Sequence, residues 1–199
     1  EIGLVDVTRS ADVNDFVARA AAASGVQILV NVAGGVLGQV HKPIEQVTDE
    51  DWAAVVGVNL TGTFNFTRAV APYMKEQQYG RIVNISSGAG RTTSLTGIQA
   101  YASSKAGQIG LSRQTAQELG RWNITVNNIA PGFVRSNPTT ERQWESYGPE
   151  GQKALVESIP LKRLGKAEDI AYGVMFFASD LAGWVTGQTI SIDGGKIMI

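Results

Sequence analysis

Tyr101-Ala102-Ser103-Ser104-Lys105 places a phenol and an ammonium group four residues apart in a stretch with helical character. Residues 100–120 are predicted to form one long helix, in which positions four apart share a face. Apolar, strand-like runs at residues 81–85 and 124–129 flank this helix. A strand, a helix and a second strand in this order predict two parallel strands joined by a crossover helix.

The same alternation continues along the rest of the chain. Further strands are predicted at residues 2–7, 27–32 and 189–193, and further helices at residues 11–24, 49–76 and 168–178. The helix at 49–76 should begin after Thr48, which lies three residues before Asp51 in the manner of a capping box. The sequence therefore predicts one α/β domain over residues 1–199, built on a doubly wound parallel sheet.

A long segment after the run at 124–129 breaks this rhythm. Residues 133–148 include Trp144 and Tyr147 and are predicted to be a loop without structure of its own. Loops of this length are often lids or binding loops. We expect a substrate lid over about residues 133–160, with a surface excursion of no function as the alternative.

The composition excludes several classes of protein. A chain of 199 residues that is 43% hydrophobic can bury a core as a single domain. The net charge of −1 and the absence of charge runs argue against nucleic-acid and membrane-surface partners. The chain has no cysteine, which excludes disulfides and thiolate catalysis. No His, Asp or Glu cluster has metal-ligand spacing, so we predict no metal site. No apolar stretch approaches 20 residues and no signal-peptide pattern is found, so we predict a soluble, cytoplasmic protein.

Tyr101 is a candidate general acid/base. A free phenol has a pKa near 10, so only about one in a thousand is ionised at pH 7. A neighbouring ammonium group such as that of Lys105 favours the phenolate. The pair alone is also common on solvated helix faces. Polar residues that end other apolar runs, such as Asn59 and Ser87, make the catalytic interpretation stronger.

Motifs along the whole chain resemble the short-chain dehydrogenase/reductase family. The similar segments, in family order, are Asp6-Val7-Thr8, Asn31-Val32-Ala33-Gly34, residues 59–64, residues 84–87, Tyr101 to Lys105, Pro131-Gly132 and Asp193-Gly194-Gly195. The resemblance implies a Rossmann-like fold and an NAD(P)-dependent oxidoreductase that interconverts a secondary alcohol and a ketone by hydride transfer.

The resemblance also implies roles for individual residues. Ser87 would orient and polarise the substrate carbonyl, and Tyr101 would be the acid/base. Lys105 would lower the pKa of Tyr101 and bind the ribose hydroxyls, while Asn59 would hold a water linking Lys105 to solvent. On spacing alone, Asn59 could equally be a helix residue that satisfies the backbone.

The cofactor site implied by the resemblance draws on four segments. Asp6 and Val7 would contact the adenine, and Asn31, Ala33 and Gly34 the adenosine ribose and phosphates. Further predicted contacts are Tyr101, Lys105, Pro131, Gly132, Val134 and Ser136, the last four around the nicotinamide. The cofactor is expected to be NAD or NADP, with a preference for NAD. The residue that distinguishes the two cofactors in this family belongs to the segment expected to be absent.

The sequence departs from the family pattern in two places. Ser87 precedes Tyr101 by one residue more than is usual, which leaves Ser86 as the alternative polarising serine. No Gly-x-x-x-Gly-x-Gly or Gly-x-Gly-x-x-Gly loop opens a helix near the first residue, Glu1. The first two β-α units are therefore expected to be absent. In that case the strand at 2–7 lacks its natural neighbour, and we expect either a displaced strand or weak cofactor binding.

Substrate and assembly are less closely defined. The alternative to an active enzyme is a truncated, inactive member that keeps the fold core and the oligomer interface. The mixed polar and aromatic residues near the predicted lid favour a small keto or hydroxylated substrate over a long acyl chain. The apolar tail at residues 197–199, and helices at the family's usual association faces, predict a homo-oligomer and specifically a tetramer.

Overall fold

A parallel sheet forms the centre of the molecule. The computed structural model describes residues 2–199. Within them the sheet consists of β1 (Ile28–Asn31), β2 (Gly80–Ile85), β3 (Ile124–Pro131) and β4 (Thr189–Ile192). The strands lie in the order β1-β2-β3-β4, and each neighbouring pair is parallel. The segments that follow the strands therefore meet at one edge, where ligands bind in open α/β sheets.

Helices cover both faces of this sheet. In chain order they are α1 (Ser10–Ser24), α2 (Asp49–Val56), α3 (Gly62–Glu76), α4 (Gln99–Leu119), α5 (Pro138–Ser146), α6 (Gly148–Glu157) and α7 (Ala167–Ala178). On one face, Met74 of α3 packs in a buried core with Ile82 of β2. On the other, Phe177 of α7 packs against Val83 of the same strand. Adjacent strand residues point to opposite faces, so this arrangement confirms the predicted doubly wound α/β fold.

The predicted helix at 49–76 contains an irregular turn. It begins as expected after Thr48, whose hydroxyl accepts a hydrogen bond from the Asp51 backbone N–H at 3.1 Å. Between α2 and α3, however, residues Gly57–Thr61 form a π-helical turn. Such turns are rare and occur frequently at functional sites. Asn59 lies in this turn.

The prediction of a first strand at residues 2–7 is wrong. Residues 2–6 have no regular secondary structure, and Ile2 and Leu4 are fully exposed. Val5 packs against the core, and the Val7 carbonyl accepts a hydrogen bond from the Asn65 side chain of α3 at 3.0 Å. A strand needs a neighbour for its N–H and C=O groups, and β1 pairs only with β2 within residues 2–199. The segment therefore lies along α3.

A row of polar side chains crosses the sheet near the carboxyl ends of the strands. Asn31, Asn84, Asn128 and Thr189 are register partners on successive strands. Asn31 donates to Asn84 at 2.7 Å, and Asn84 donates to the Ser112 hydroxyl of α4 at 2.8 Å. The Ser112 hydroxyl lies 2.9 Å from Asn128 Oδ1, and Asn128 donates to Thr189 at 3.2 Å. Because buried amide groups need hydrogen-bond partners, this row fixes the register of the strands and the position of α4 on the sheet.

Replacing Asn84 with Leu is expected to lower the free energy of unfolding by about 2–4 kcal/mol, because the buried Asn31 amide then loses its acceptor and Ser112 loses a donor. The measurement is the urea midpoint with an unchanged denaturant slope. Asn14→Leu, at an exposed position of α1, is the matched control. A loss below about 0.5 kcal/mol, the usual range for surface changes, would show that the row does not hold the strands in register.

Candidate active site

Ser87, Tyr101 and Lys105 converge at the carboxyl edge of the sheet. Ser87 follows β2, while Tyr101 and Lys105 lie one turn apart near the start of α4. Lys105 Nζ lies 5.9 Å from the centre of the Tyr101 ring and donates to the Ile85 carbonyl, two residues before Ser87. The Ser87 hydroxyl is near enough to the Tyr101 phenol to influence its pKa.

The two adjacent serines differ in what their hydroxyls do. Ser86 is buried, and its hydroxyl donates to the Ile129 carbonyl of β3 at 3.1 Å. Ser87 is half-buried and accepts a hydrogen bond from the Ala89 backbone N–H at 3.1 Å, which leaves its own proton available. The geometry thus favours Ser87 as the polarising group, since Ser86 is used inside the sheet.

The protein groups around Tyr101 make its phenol less acidic. Burial raises the pKa of Tyr101 above its ordinary value of 10.0, and the hydrogen bond with Ser87 opposes this shift only in part. The expected lowering of this pKa by Lys105 is not found: burial is the larger cause of the shift, and the opposing effect comes from Ser87. A phenol of this kind is protonated at neutral pH, which suits a proton donor to a carbonyl oxygen.

Lys105 is held deep in the site. Its side chain is buried, and Nζ donates to the Ile85 carbonyl at the end of β2 at 2.8 Å. Burial lowers the pKa of Lys105 from 10.5 to about 8. Most copies still carry the charge at pH 7, so the ammonium group is present at neutral pH and is sensitive to mild alkali.

Asn59 is fully buried, and its side chain is occupied by the backbone. Asn59 Oδ1 accepts from the Gly35 N–H at 3.0 Å, and Nδ2 donates to the Gly35 and Val55 carbonyls at 2.9 and 2.8 Å. The Asn59 carbonyl accepts the Thr63 hydroxyl at 2.8 Å. The contacts match the backbone-satisfying alternative for this side chain, and they join the π-helical turn to the loop after β1.

Gly34 forms a cradle between these groups. A Cβ atom at this position would lie 2.5 Å from Asn59 Oδ1 and 3.2 Å from Lys105 Nζ. No side chain fits there without displacing one of them. The exposed backbone of Gly34 can therefore approach a ligand directly above Asn59 and Lys105.

Three of the residues predicted to contact the adenosine half of the cofactor line a common groove. Val7, Asn31 and Ala33 line one groove of about 210 Å³, which runs between α3 and the open edge of β1. Asp6 is exposed, and hydrogen bonds from Thr8 hold its carboxylate pKa below the usual value. The groove itself is lined mainly by apolar residues.

The four residues predicted to frame the nicotinamide lie at the end of β3 and in the loop that follows it. They are Pro131, Gly132, Val134 and Ser136. A Cβ at Gly132 would lie 2.8 Å from the Asp193 α-carbon, so glycine allows this loop to contact the turn after β4. Val134 forms a parallel bridge with Gly165, which fixes the start of the segment that follows.

The segment after Ser136 is helical, so its prediction as a loop without structure is wrong. Asn137 caps α5, accepting hydrogen bonds from the Thr139 and Thr140 N–H groups at 2.9 and 3.0 Å. Pro138 occupies the first turn, where its missing N–H costs nothing. The Asn-Pro pair was the available signal for a helix start, and the predicted lid therefore consists of α5 and α6.

An aromatic cluster anchors this helical segment to β3. The Phe133 ring centre lies 6.1 Å from that of Trp144 and 5.9 Å from that of Tyr147. The Arg135 guanidinium lies 5.5 Å from the Trp144 ring and pairs with Glu141 at 2.7 Å. Phe133 was not singled out from the sequence, because an isolated aromatic residue after a strand carries no pattern.

Two loops are in contact close to Tyr101. His41, in the loop after β1, has Nδ1 3.0 Å from the Gly97 carbonyl. The Gln99 side chain donates to the Lys42 carbonyl at 3.0 Å. The loop after β1 is thereby tied to the start of α4, two residues before Tyr101. Sequence reasoning missed this connection, since it depends on contacts between distant residues.

Three further features of the described residues concern metal ligands, membrane-spanning helices and a second cavity. Within residues 2–199 no group of three His, Asp or Glu side chains could hold a metal ion. No helix in the same range combines the length and the apolar character needed to span a membrane. A cavity of about 750 Å³ lies at the amino end of β3, lined in part by Arg121, Thr125 and Trp184. It contains none of the predicted site residues.

Comparison with known proteins gives a consistent family. The family model described as enoyl-(acyl carrier protein) reductase matches residues 2–196. The 3-oxoacyl-[acyl-carrier-protein] reductase FabG of Thermotoga maritima is 43% identical over 173 residues, covering 87% of this chain and 67% of that protein. The acetoacetyl-CoA reductase of Rhizobium meliloti is 40% identical over 184 residues, covering 92% and 73%.

Solved structures agree with this result. A short-chain type dehydrogenase/reductase from Mycobacterium ulcerans superposes with a TM-score of 0.89 at 33% identity, covering 96% of this chain and 68% of that one. A putative gluconate dehydrogenase from Agrobacterium tumefaciens gives 0.88 at 30% identity, covering 98% and 74%. The chain therefore belongs to the short-chain dehydrogenase/reductase family of NAD(P)-dependent oxidoreductases.

Proposed function

We propose that this protein reduces a ketone to a secondary alcohol, with NADH or NADPH as the hydride source and Tyr101 as the acid/base. The observation that carries the proposal is the convergence of Ser87, Tyr101 and the buried Lys105 ammonium group at the carboxyl end of β2, where Lys105 Nζ lies 5.9 Å from the Tyr101 ring centre. The bound reduced nicotinamide supplies the hydride to the carbonyl carbon. The overall change adds that hydride and one proton across the C=O bond.

The chain's own residues supply the proton and the polarisation. Ser87 donates a hydrogen bond to the carbonyl oxygen, and Tyr101 transfers its proton to the same oxygen as negative charge develops there. The pKa of Tyr101, raised by burial, leaves the phenol protonated at neutral pH, which is the form that can donate a proton to the carbonyl oxygen. Lys105 stabilises the resulting phenolate by its charge.

The cofactor contacts are proposed from the same geometry. Asp6, Val7, Asn31, Ala33 and Gly34 hold the adenosine half, for which the groove beside β1 has a suitable shape. Lys105 binds the ribose near the nicotinamide, and Pro131, Gly132, Val134 and Ser136 frame the ring. Asn59 supports the Gly34 cradle from below. We also propose a proton path through a water bound to Asn59. Both Nδ2 protons are donated to backbone carbonyls and Oδ1 accepts one hydrogen bond, so the second acceptor position of Oδ1 would bind this water.

Two substrate classes follow from the relatives. The name acetoacetyl-CoA reductase points to a 3-oxoacyl thioester, and the name gluconate dehydrogenase points to a polyhydroxy acid. The test measures NADH and NADPH oxidation at 340 nm with acetoacetyl-CoA, and reduction of both oxidised cofactors with gluconate. Turnover that depends on Tyr101 supports the proposal. No turnover by folded protein across this panel and a wider set of ketones favours the alternative, an inactive relative that retains only the fold.

We also propose that the protein is a cytoplasmic homotetramer. Large apolar side chains stand exposed on and after α7, among them Met175 at 65% and Trp184 at 100%. Exposed side chains of this size are usually covered in an assembly. Light scattering on the purified chain should give four times the monomer mass. A monomer at micromolar concentration would contradict the proposal.

A further inference from the structure

Gln108 is a fully buried polar residue of α4, three positions after Lys105. Its Nε2 donates to the Thr63 hydroxyl of α3 at 2.6 Å. The Thr63 hydroxyl in turn donates to the Asn59 carbonyl in the π-helical turn at 2.8 Å. A two-step chain of hydrogen bonds thus joins the helix that carries Lys105 to the turn that carries Asn59.

The direction of these hydrogen bonds is fixed. Thr63 has one hydroxyl proton, which goes to the Asn59 carbonyl, so only a donor can face it from Gln108. Gln108 Nε2 is that donor. Gln108 Oε1 consequently points away and has no hydrogen-bond partner among residues 2–199. A buried, unpaired amide oxygen is costly, and an apolar residue here would avoid the cost.

These hydrogen bonds lead to Asn59, which lies on the cofactor side of the proposed site. Asn59 binds both the N–H and the carbonyl of Gly35 through its side chain. The neighbouring Gly34 lies against both Asn59 Oδ1 and Lys105 Nζ. A shift of the Asn59 turn relative to α4 would therefore change the spacing between the Gly34 backbone and the Lys105 ammonium group.

We propose that Gln108 is a positioning residue that, through Thr63, sets the Asn59 turn and with it the Gly34 cradle against Lys105. This inference rests on the proposed function, because the cradle is where we place the cofactor. Gln108 itself is buried in α4, three positions after Lys105, and acts through Thr63 and Asn59. Its effect should appear in cofactor affinity and in kcat, beyond any effect on stability.

The test compares cofactor binding and turnover in matched variants. Gln108→Leu and Thr63→Val should each weaken NAD(P)H binding about tenfold, the loss expected for one or two hydrogen bonds. Thr63→Ser keeps the hydroxyl and should restore most of the binding. The Gln108→Leu/Thr63→Val double variant should be no worse than either single change, since both act through one contact.

Thr67→Val is the matched control. Thr67 lies one turn further along α3, is buried, and its hydroxyl has no hydrogen-bond partner within the described residues. This change should leave binding and kcat at the wild-type values. Unchanged cofactor affinity in Thr63→Val, or additive losses in the double variant, would overturn the positioning role even if Gln108→Leu fails to fold. Absence of binding to the wild-type protein would instead reject the proposed function.

Discussion

Replacing Tyr101 with Phe is expected to lower kcat for ketone reduction by about 10²- to 10⁴-fold, the range for loss of a general acid. The ring that packs beside Lys105 stays in place and only the hydroxyl is lost. Fold and cofactor affinity should therefore change little. The measurement is kcat under saturating cofactor, together with the cofactor dissociation constant of the same preparation.

The matched control for Tyr101 is Tyr172→Phe. Tyr172 lies on α7 and is 67% exposed, so removal of its hydroxyl should leave kcat unchanged. If Tyr101→Phe retained more than about a tenth of wild-type kcat, well short of the loss expected for a general acid, another group would have to deliver the proton. Ser87, the second hydroxyl at this point, would then be the candidate acid.

Replacing Lys105 with Met should lower kcat by roughly 10²- to 10³-fold, as expected for removal of one preorganised donor. It should also change the pH dependence. Deprotonation of Lys105, whose pKa is about 8, should cause the wild-type rate to fall above that pH. The rate of the Lys105→Met variant should show no such decrease at high pH. Lys153→Met, at a side chain that is 77% exposed, controls for the loss of one positive charge.

The same substitution makes a prediction about stability. The pKa of Lys105 is about 8 in the folded protein against an ordinary value of 10.5, so the unfolded chain binds more protons between these pH values. Stability conferred through this group therefore rises with pH in that window, by about 2 kcal/mol between pH 8 and pH 9.5.

Urea unfolding of wild type and the Lys105→Met variant at pH 7 and pH 9.5 tests this. The stability of the variant relative to wild type should fall by about 2 kcal/mol over that interval, because the variant lacks the titrating group. A constant difference would mean that the Lys105 pKa is not lowered by burial. A difference of the opposite sign would mean that the folded protein stabilises the ammonium form.

The sequence predicted those parts of the fold that depend on short-range patterns. The runs that became β1 to β4 are apolar and bounded by turns, and α4 has helical character throughout. The prediction failed at residues 2–7, where an apolar run without a neighbouring strand did not become a strand. It failed again at α5, because the helix there depends on the Asn137 cap more than on an apolar face.

The site shows the same division. Motif order placed Ser87, Tyr101 and Lys105 together, because the ends of parallel strands meet at one edge of a sheet. The role of burial was not visible in the sequence: a charged Lys105 four residues from Tyr101 suggested an acidic phenol, whereas desolvation raises its pKa. The Gln108–Thr63 contact joins residues 45 positions apart, so only the packing of α3 against α4 reveals it.

The most direct test of the account is a calorimetric titration of the purified chain with NADH and, separately, NADPH. The account predicts saturable binding of at least one cofactor, weakened in the Lys105→Met variant, because Gly34 adjoins Lys105 and directly follows Ala33, which lines the groove beside β1. The stronger of the two heats would also identify the preferred cofactor. No saturable heat with either cofactor, from protein shown to be folded by circular dichroism, would contradict the account and leave a family member with catalytic side chains but no cofactor site.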